Sequence, residues 1–210
     1  MKVIVFGATG VIGKAVVSQA LSLNHDVYSF SRQNTILELI NHSRLNNISG
    51  DVFNQQDVQE ATVGMDAVII VLGSGKDRHS IVRSEGTKNI IKAMKKTGVK
   101  RLVCQTTLGA GNSQGNLNFF WKYIMFGCFL KGVFQDHELQ EKYVQNSTLD
   151  WTIVRPAAFV NTDKKASYQH GFSSEEKSIT LKISTADVAD FILKQLYSDQ
   201  YLFKMAGVSY

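Results

Sequence analysis

Three glycines near the N-terminus have the spacing of a phosphate-binding turn. Gly7, Gly10 and Gly13 follow the apolar run 2–6 and precede a helical pattern of apolar residues. Gly7 would permit a tight turn, Gly10 would let a pyrophosphate approach the backbone, and Gly13 would let the helix pack closely on the strand. Free N–H groups and the helix dipole attract phosphate, and Thr9 adds a hydroxyl donor. The alternative is an ordinary strand–helix turn without a ligand, but this strand–turn–helix context is the one a dinucleotide site requires.

The residues that end the second predicted strand bear on which dinucleotide would bind. An NAD site usually places an acidic side chain there for the ribose hydroxyls, whereas this chain has Phe30, Ser31 and Arg32. Arg32 could pair with a 2′-phosphate through charge-assisted hydrogen bonds. The sequence therefore predicts NADP(H) rather than NAD. The alternative is that Arg32 is an ordinary surface arginine.

Further cofactor contacts are predicted where other strands end, because ligands of open α/β sheets bind at the carboxyl ends of the strands. Asp51 and Val52 lie at the end of the third predicted strand and could meet the adenine. Leu72 and Gly73 lie at the end of the fourth predicted strand and could pass beneath the adenine ribose. The full set of predicted cofactor-binding residues is Gly7, Thr9, Gly10, Val11, Ile12, Gly13, Ser31, Arg32, Asp51, Val52, Leu72, Gly73, Thr106 and Pro156.

Candidate catalytic groups are fewer. A Tyr-x-x-x-Lys pair, in which the lysine lowers the pKa of a hydroxyl acid, is missing, since Tyr123 and Tyr143 are followed four residues later by glycine and serine. The predicted catalytic residues are Thr107 on the fifth strand and His137 and Lys142 on the following helix. A single histidine on such a helix is more often solvated than catalytic. Hydride transfer is the cofactor's own chemistry, so the protein need only position a substrate.

Alternating strands and helices would position these residues. The predicted strands are 2–6, 26–30, 47–52, 65–72, 101–107, 151–154, a half-exposed strand 178–183 and an edge strand 202–209. The predicted helices are 11–23, 34–40 with Asn34 as a cap, 57–63, 80–97, 136–145 and 187–197 with Thr185 as a cap. This alternation predicts an α/β fold, a Rossmann-like doubly wound parallel sheet with helices on both faces and a small C-terminal substrate-side region. We expect one domain, 1–210, with substrate-side segments at about 108–135 and 156–180.

An aromatic segment, residues 119–134, lies within the first of these substrate-side segments. It contains Lys122, Lys131 and two glycines, and it is too short and too interrupted to span a membrane. One interpretation is a buried helix start or a subunit contact. The other is an aromatic wall or lid for a flat substrate.

Composition sets further bounds. The formal charge of +5 over 210 residues is modest. The basic cluster 92–101 is interpreted as a solvated helix face rather than a nucleic-acid site, and the charge suits an anionic cofactor. Cys104 and Cys128 lack metal-ligand spacing and are predicted to be buried thiols in a reducing compartment. No signal-peptide pattern is present, so we expect a cytoplasmic protein. We also expect a monomer or a homodimer that binds a small-molecule acceptor.

Together these motifs resemble the atypical short-chain dehydrogenase/reductase group, in particular NAD(P)H-binding proteins similar to biliverdin-IXβ reductase (flavin reductase). The matching segments are VFGATGVIG, SR at 31–32, GDV at 50–52, DAVIIVLG at 66–73, the stretch 84–103 and DWTIVRP at 150–156. The resemblance implies a pyrophosphate on the glycine turn, Arg32 at the 2′-phosphate and adenosine against the ends of the third and fourth strands. It also implies that Thr107 stands where the family has a serine near the nicotinamide, and that His137 matches a family histidine.

Three functions are compatible with these features. The first is an NADPH-dependent reductase of a flavin, a linear tetrapyrrole or a quinone, because such flat acceptors suit an aromatic wall. The second is a non-catalytic NADP(H)-binding sensor or assembly factor of the NmrA-like type. A sugar-nucleotide epimerase is the third, and the missing Tyr-x-x-x-Lys pair argues against it. A family histidine after the sixth strand is replaced here by Ala157, Ala158 and Phe159, which concerns the acceptor rather than the cofactor.

Overall fold

A largely parallel eight-stranded sheet forms the centre of the molecule. The computed structural model describes residues 1–32, 42–75 and 77–210, apart from the side chains of 126–128. Its strands are Lys2–Phe6 (β1), Asp26–Ser31 (β2), Leu45–Ser49 (β3), Ala67–Ile70 (β4), Arg101–Gln105 (β5), Asp150–Pro156 (β6), Ala158–Val160 (β7), Gln169–His170 (β8), Lys182–Ser184 (β9) and Lys204–Ser209 (β10). The strand order is β3-β2-β1-β4-β5-β6-β10-β8, and only the β10–β8 pair is antiparallel within the described sheet.

Helices cover both faces of this sheet. They are Val11–Ser22 (α1), Gln55–Thr62 (α2), Val82–Thr97 (α3), Lys131–Gln145 (α4) and Thr185–Lys194 (α5). Alternate residues of β1 belong to different cores: Val3 and Val5 pack in one cluster with α1 and α5, whereas Ile4 and Phe6 pack with α2, α3 and α4. A strand buried on both faces therefore reads as a continuous apolar run. The predicted Rossmann-like doubly wound sheet is confirmed.

Capping side chains account for several helix boundaries. The Asn54 side chain accepts a hydrogen bond from the Gln56 N–H (3.0 Å), so α2 begins two residues earlier than predicted. For α5 the predicted cap Thr185 is wrong: Ser184 Oγ accepts from the Asp187 N–H (3.0 Å), and the helix ends at Lys194 rather than at 197. Short polar side chains just before a helix satisfy N–H groups that lack partners in the first turn.

The C-terminal strands differ most from the sequence-based predictions. Residues 202–209 were expected at an edge, but β10 lies between β6 and β8, with Val208 paired to both Pro156 and His170. The expected strand 178–183 is reduced to β9, which pairs with β7 in a separate two-stranded sheet.

The third strand ends at Ser49, three residues before its predicted end, and the segment 50–54 forms a loop. The predicted helix 34–40 lies outside the described residues.

The aromatic segment contains a π-helix and the start of α4. A π-helix spans Phe120–Phe129, with a 2.8 Å hydrogen bond from the Leu130 N–H to the Met125 carbonyl, and α4 follows from Lys131. Within the described part of the chain, no helix is long and apolar enough to cross a membrane.

Cys104 is fully buried, as predicted, and burial raises the pKa of its thiol. The side chain of Cys128 is outside the described set.

A buried ion pair joins α4 to β6. Arg155 donates to both carboxylate oxygens of Glu141, from Nε at 2.8 Å and from Nη2 at 2.6 Å. The side chains are only 5% and 2% exposed. Thr106 Oγ1 donates to the same carboxylate (2.8 Å), and Arg155 Nη1 donates to Asn112 Oδ1 (2.6 Å). This network therefore fixes the loop that follows β5 against the end of β6.

We expect Arg155→Met to lower the free energy of unfolding by about 3–5 kcal/mol, because Glu141 would be left charged and unpaired in the interior. Urea denaturation followed by circular dichroism measures the change. The double variant Arg155→Met/Glu141→Leu should lose less than the single one, since no unpaired charge remains.

Lys164→Met is the matched control, because its ion pair with Asp190 is at the surface, with the lysine side chain 41% exposed. The expected cost there is below about 1 kcal/mol. A similar loss for Lys164→Met and Arg155→Met would contradict the assignment of the buried pair.

Candidate functional site

A cleft of about 630 Å³ lies at the carboxyl edge of the sheet. Its lining includes the residues that follow β1, β2, β4, β5 and β6, as the strand-end rule predicts. All predicted cofactor-binding residues except Gly13 line this cleft, and so do Thr107 and His137. Lys142 is exposed on α4 and is not among the lining residues. The structure thus brings together the predicted site apart from Gly13 and Lys142.

The glycine turn is shaped by backbone packed directly against backbone. Gly7 has φ of +91°, and a Cβ there would lie 2.5 Å from the carbonyl oxygen of Val71. A Cβ on Gly13 would overlap the backbone of Gly7 and Ala8, which explains how a residue outside the cleft still shapes it. A side chain at Gly7 would push the turn away from the end of β4, and a side chain at Gly13 would push α1 away from the turn.

The start of α1 is open to an anion. Gly10 is the N-cap, it makes no side-chain cap, and the first turn holds no acidic residue. Helix N–H groups without partners and the positive end of the helix dipole favour phosphate. The turn is therefore a cradle that fits the pyrophosphate of a dinucleotide, with Thr9 beside it in the cleft wall.

The loop after β3 forms one end of the cleft and is fixed by its neighbours. The Asp51 N–H donates to Asp57 Oδ2, and Asp51 Oδ1 accepts from the Phe53 N–H, both at 3.0 Å. Asn89 on α3 donates to the carbonyl of Val52 (3.0 Å). Arg32 is exposed at the same end of the cleft. No sequence motif marks Asn89 or Phe53, so neither residue was predicted to belong to this loop and its supports.

Arg83 and Asp136 form a second polar group at the cleft, and both were missed from the sequence. Asp136 on α4 accepts from the backbone N–H groups of Arg83 (3.2 Å) and Ser84 (3.0 Å), so it caps the start of α3. Arg83 Nη1 donates to Ser74 (3.1 Å) and lies 3.6 Å from Asp136 Oδ2. Burial lowers the pKa of the Arg83 guanidinium, and the charge of Asp136 opposes that shift.

His137 is buried, contrary to the expectation of a solvated histidine. Only 6% of it is exposed, because α4 begins at Lys131 and turns this position inward. Its Nδ1 lies 3.2 Å from Gln140 Oε1, while Gln140 Nε2 donates to Thr87 Oγ1 (3.0 Å). This arrangement assigns the proton to Nδ1 and leaves Nε2 as an acceptor. Burial, with the nearby charge of Arg83, lowers the pKa of His137 to about 3.

An apolar cavity of about 180 Å³ adjoins the cleft. The residues shared by the two spaces are Thr107, His137, Pro156, Ala157 and Ala158. The other residues that line the cavity are Leu108, Leu117, Trp121, Leu130, Val133, Phe134 and Leu181. Phe134 and Trp121 of the aromatic segment thus both line the cavity, Phe134 being buried, and the role of the segment as a wall for a flat substrate or as a subunit contact stays a prediction.

The low pKa of His137 makes the unfolding free energy depend on pH. Below about pH 6.5 the unfolded chain binds a proton that the folded chain does not bind until about pH 3, so stability falls as the pH drops through this window. The expected slope from this group is about 1.4 kcal/mol per pH unit. His137→Gln should lack this component in urea denaturation between pH 4 and 6.5.

Proton NMR supplies a second measurement of the same property. The imidazole resonance that disappears in His137→Gln should keep its neutral chemical shift throughout a titration from pH 8 down to pH 5. A midpoint near that of an ordinary histidine would contradict a neutral, buried His137.

The curated relatives that the chain resembles carry different names. The chain is 29% identical over 93% of its length to the UPF0659 protein YMR090W of Saccharomyces cerevisiae, of which it covers 87%. It is 24% identical over 95% of its length to the photosystem II assembly factor Ycf39 of Synechocystis, of which it covers 59%. The chain thus spans less than two thirds of the second relative.

Solved structures share the fold across the whole chain. An NADP complex of a short-chain dehydrogenase/reductase from Veillonella parvula superposes with a TM-score of 0.84 at 18% identity, covering 100% of this chain and 94% of the other. ChuY, an anaerobillin reductase from Escherichia coli O157:H7, gives 0.83 at 21% identity, with 100% and 97% covered. The match that identifies the family is the one to the NAD(P)H-binding family over residues 7–199. With its glycine turn, its cleft at the strand ends and this match, the chain belongs to the NAD(P)H-binding family.

Proposed function

We propose that the protein is an NADPH-dependent reductase that acts on a small flat acceptor. One observation carries this proposal: the cleft that contains the glycine turn and the apolar cavity share a wall of five residues. A dinucleotide whose pyrophosphate lies on the glycine turn would extend in two directions along the cleft. One direction leads to Arg32 and the loop after β3, and the other leads to Thr107 and the cavity.

The preference for the 2′-phosphorylated cofactor rests on the end of β2. Phe30, Ser31 and Arg32 all line the cleft, and none of them is acidic. An exposed guanidinium at this place offers a planar pair of donors to a phosphate. The anion-accepting start of α1 then serves the pyrophosphate, and Arg32 serves the third phosphate. The structural neighbour from Veillonella parvula, which was solved in complex with NADP, supports the same preference.

The residues of the shared wall would position an acceptor against the nicotinamide, and bound NADPH would supply the hydride. Apolar side chains of the cavity exclude water from a flat ring. Thr107 offers a hydroxyl, and the neutral His137 offers its Nε2 lone pair, so both would orient an acceptor. His137 is unsuited to be a proton donor at neutral pH, because the pKa is lowered to about 3. The proton that follows the hydride would therefore come from water in the open cleft.

Flavins, linear tetrapyrroles and quinones are the acceptor classes that suit this arrangement. ChuY, which shares the fold, bears the name of an anaerobillin reductase, and this supports the tetrapyrrole class. At about 180 Å³ the cavity admits one ring of such an acceptor, while the remainder of a larger molecule would lie in the cleft. The single domain 1–210, the cytoplasmic location and the monomeric or homodimeric state stay predictions.

A non-catalytic NADP(H)-binding assembly factor is the second candidate. The similarity to Ycf39, named a photosystem II assembly factor, favours it. So does the sequence of this chain, which has no Tyr-x-x-x-Lys pair to provide a hydroxyl acid.

Oxidation of NADPH by the purified protein tests the first candidate against the second. A panel of FMN, biliverdin and a soluble benzoquinone, with NADH and protein-free controls, should reveal at least one acceptor that consumes NADPH faster than the blank. Tight NADPH binding with no turnover across the panel would reject the reductase and favour the assembly factor.

Arg32→Ala should weaken NADPH binding by about ten- to a hundredfold, because a charge-assisted hydrogen bond contributes roughly 1.5–3 kcal/mol. NADH binding should change less than about twofold, since NADH lacks the 2′-phosphate. Fluorescence titration of both cofactors measures the ratio.

Arg44→Ala is the matched control for charge. Arg44 is exposed and donates to the carbonyl of Asn24 (2.6 Å), just before β3 and therefore at the opposite edge of the sheet. Two results would contradict the assignment of Arg32 to the 2′-phosphate. One is an equal loss of NADPH and NADH affinity in Arg32→Ala, and the other is an equal loss of NADPH affinity in Arg32→Ala and Arg44→Ala.

A further inference from the structure

We propose that the outward side of the π-helix is a docking surface for an anionic lipid bilayer. This surface, called here the outward aromatic face, consists of Phe119, Phe120, Tyr123, Ile124 and Phe129. Their exposed fractions are 72%, 51%, 54%, 38% and 58%. Exposed large apolar side chains are common one at a time, but a continuous group of them marks an interaction site.

The backbone places these five side chains along one stripe. In a π-helix the hydrogen bonds run between residues five apart, so residues four or five apart lie above one another. Phe119 is followed at these spacings by Tyr123 and Ile124, and Ile124 is followed by Phe129. The rings of Phe119 and Tyr123 are 5.0 Å apart. The helix start is fixed by Asn118, whose side chain accepts from the Trp121 N–H (3.0 Å).

The charges around this surface are those that an anionic membrane attracts. Residues 108–135 contain Lys122 and Lys131 and no aspartate or glutamate. Lys131 is exposed, and Lys122 Nζ lies 5.4 Å from the centre of the Tyr123 ring. The exposed Arg78 adds a third cation, since its backbone packs against Gly132. The exposed Asp77 beside it accepts a hydrogen bond from the His79 N–H (2.9 Å) and carries one opposing charge, so Lys122, Lys131 and Arg78 leave a net positive charge here.

Aromatic rings beside lysines are typical of side chains at the membrane–water interface. Rings enter the boundary between headgroups and acyl chains, while ammonium groups stay at the phosphate level. The π-helix has ten residues, about half of the roughly 20 needed to cross a bilayer. Its geometry therefore suits a helix lying in the plane of the membrane surface.

A second copy of this chain fits the surface less well. In a symmetric dimer the same patch meets itself, so the lysines of both copies would approach one another. The segment 108–135 offers no carboxylate to pair with them. Like charges facing each other at a contact oppose association, whereas anionic phosphates neutralise them.

The opposite side of the same segment forms the acceptor cavity. Trp121 and Leu130 line the cavity, next in sequence to Phe120 and Phe129 of the outward aromatic face. A docked molecule would thus hold the cavity one helix away from the bilayer, within reach of an acceptor dissolved in lipid. This consequence rests on the proposed function, whereas the docking itself does not.

Vesicle co-sedimentation of the full chain, without cofactor, tests the docking. The protein should bind phosphatidylcholine vesicles that contain phosphatidylglycerol at least about tenfold more tightly than pure phosphatidylcholine vesicles, and added salt should weaken this binding. Phe119→Ser/Phe120→Ser should lower the affinity at least about tenfold, because two large apolar groups no longer enter the interface.

Leu23→Ser/Val63→Ser is the matched control, since both side chains are exposed (57% and 60%) at the opposite edge of the sheet. Its vesicle binding should equal that of the unchanged protein. Lys122→Gln/Lys131→Gln should retain the aromatic rings but reduce binding to phosphatidylglycerol vesicles to the level of pure phosphatidylcholine. This lysine variant also keeps the test decisive if the serine variant fails to fold, as judged by circular dichroism.

Three results would overturn the proposal. The first is no binding to phosphatidylglycerol vesicles, and the second is an equal loss in the control and serine variants. The third is that light scattering shows a dimer, that Phe119→Ser/Phe120→Ser dissociates it, and that the unchanged protein does not bind vesicles. This result would assign the surface to a second copy of the chain.

Discussion

The absence of two Cβ atoms controls the position of the first helix and, through it, the cleft. Gly7 lies so close to the end of β4 that a Cβ would stand 2.5 Å from the Val71 carbonyl oxygen, and Gly13 packs directly on the turn itself. This backbone contact brings the uncapped start of α1 to the carboxyl edge of the sheet. The other strand ends then add their loops around that point.

Polar side chains fix the positions of the loops after β3 and β5. Glu141 and Arg155 tie the segment after β5 to β6, and Asn89 holds the loop after β3 through the Val52 carbonyl. Buried charges and amides contribute in this way because each must satisfy its hydrogen bonds inside the protein. Hydrogen bonds therefore fix the loops of the cleft at the end where the dinucleotide would bind. At its other end, part of the wall comes from a π-helix, a rare conformation that is frequently located at functional sites.

The sequence was sufficient to predict the elements whose signal is local. The glycine turn and the apolar strands are runs of neighbouring residues. The predicted cofactor-binding residues, all of which except Gly13 line the cleft, lie in the glycine turn or at strand ends. Contacts between distant residues left no such signal: Asp136 is 52 residues from Ser84, and Glu141 is 35 from Thr106. The predicted edge position of β10 was wrong because the two-residue strand β8 is too short to leave a pattern. The π-helix was equally unpredictable, since its apolar residues have neither the helical nor the strand period.

Two helices begin at the cleft, but they meet a ligand differently. The first N–H groups of α3 already donate hydrogen bonds to the carboxylate of Asp136, a side chain of the protein itself. At α1 the corresponding groups have no side-chain cap. The cleft therefore has one helix start that is open to an external anion, near the glycine turn, and one that already holds a carboxylate, towards the cavity. A molecule with phosphates at its middle and an uncharged ring at one end would experience a single favourable direction of insertion.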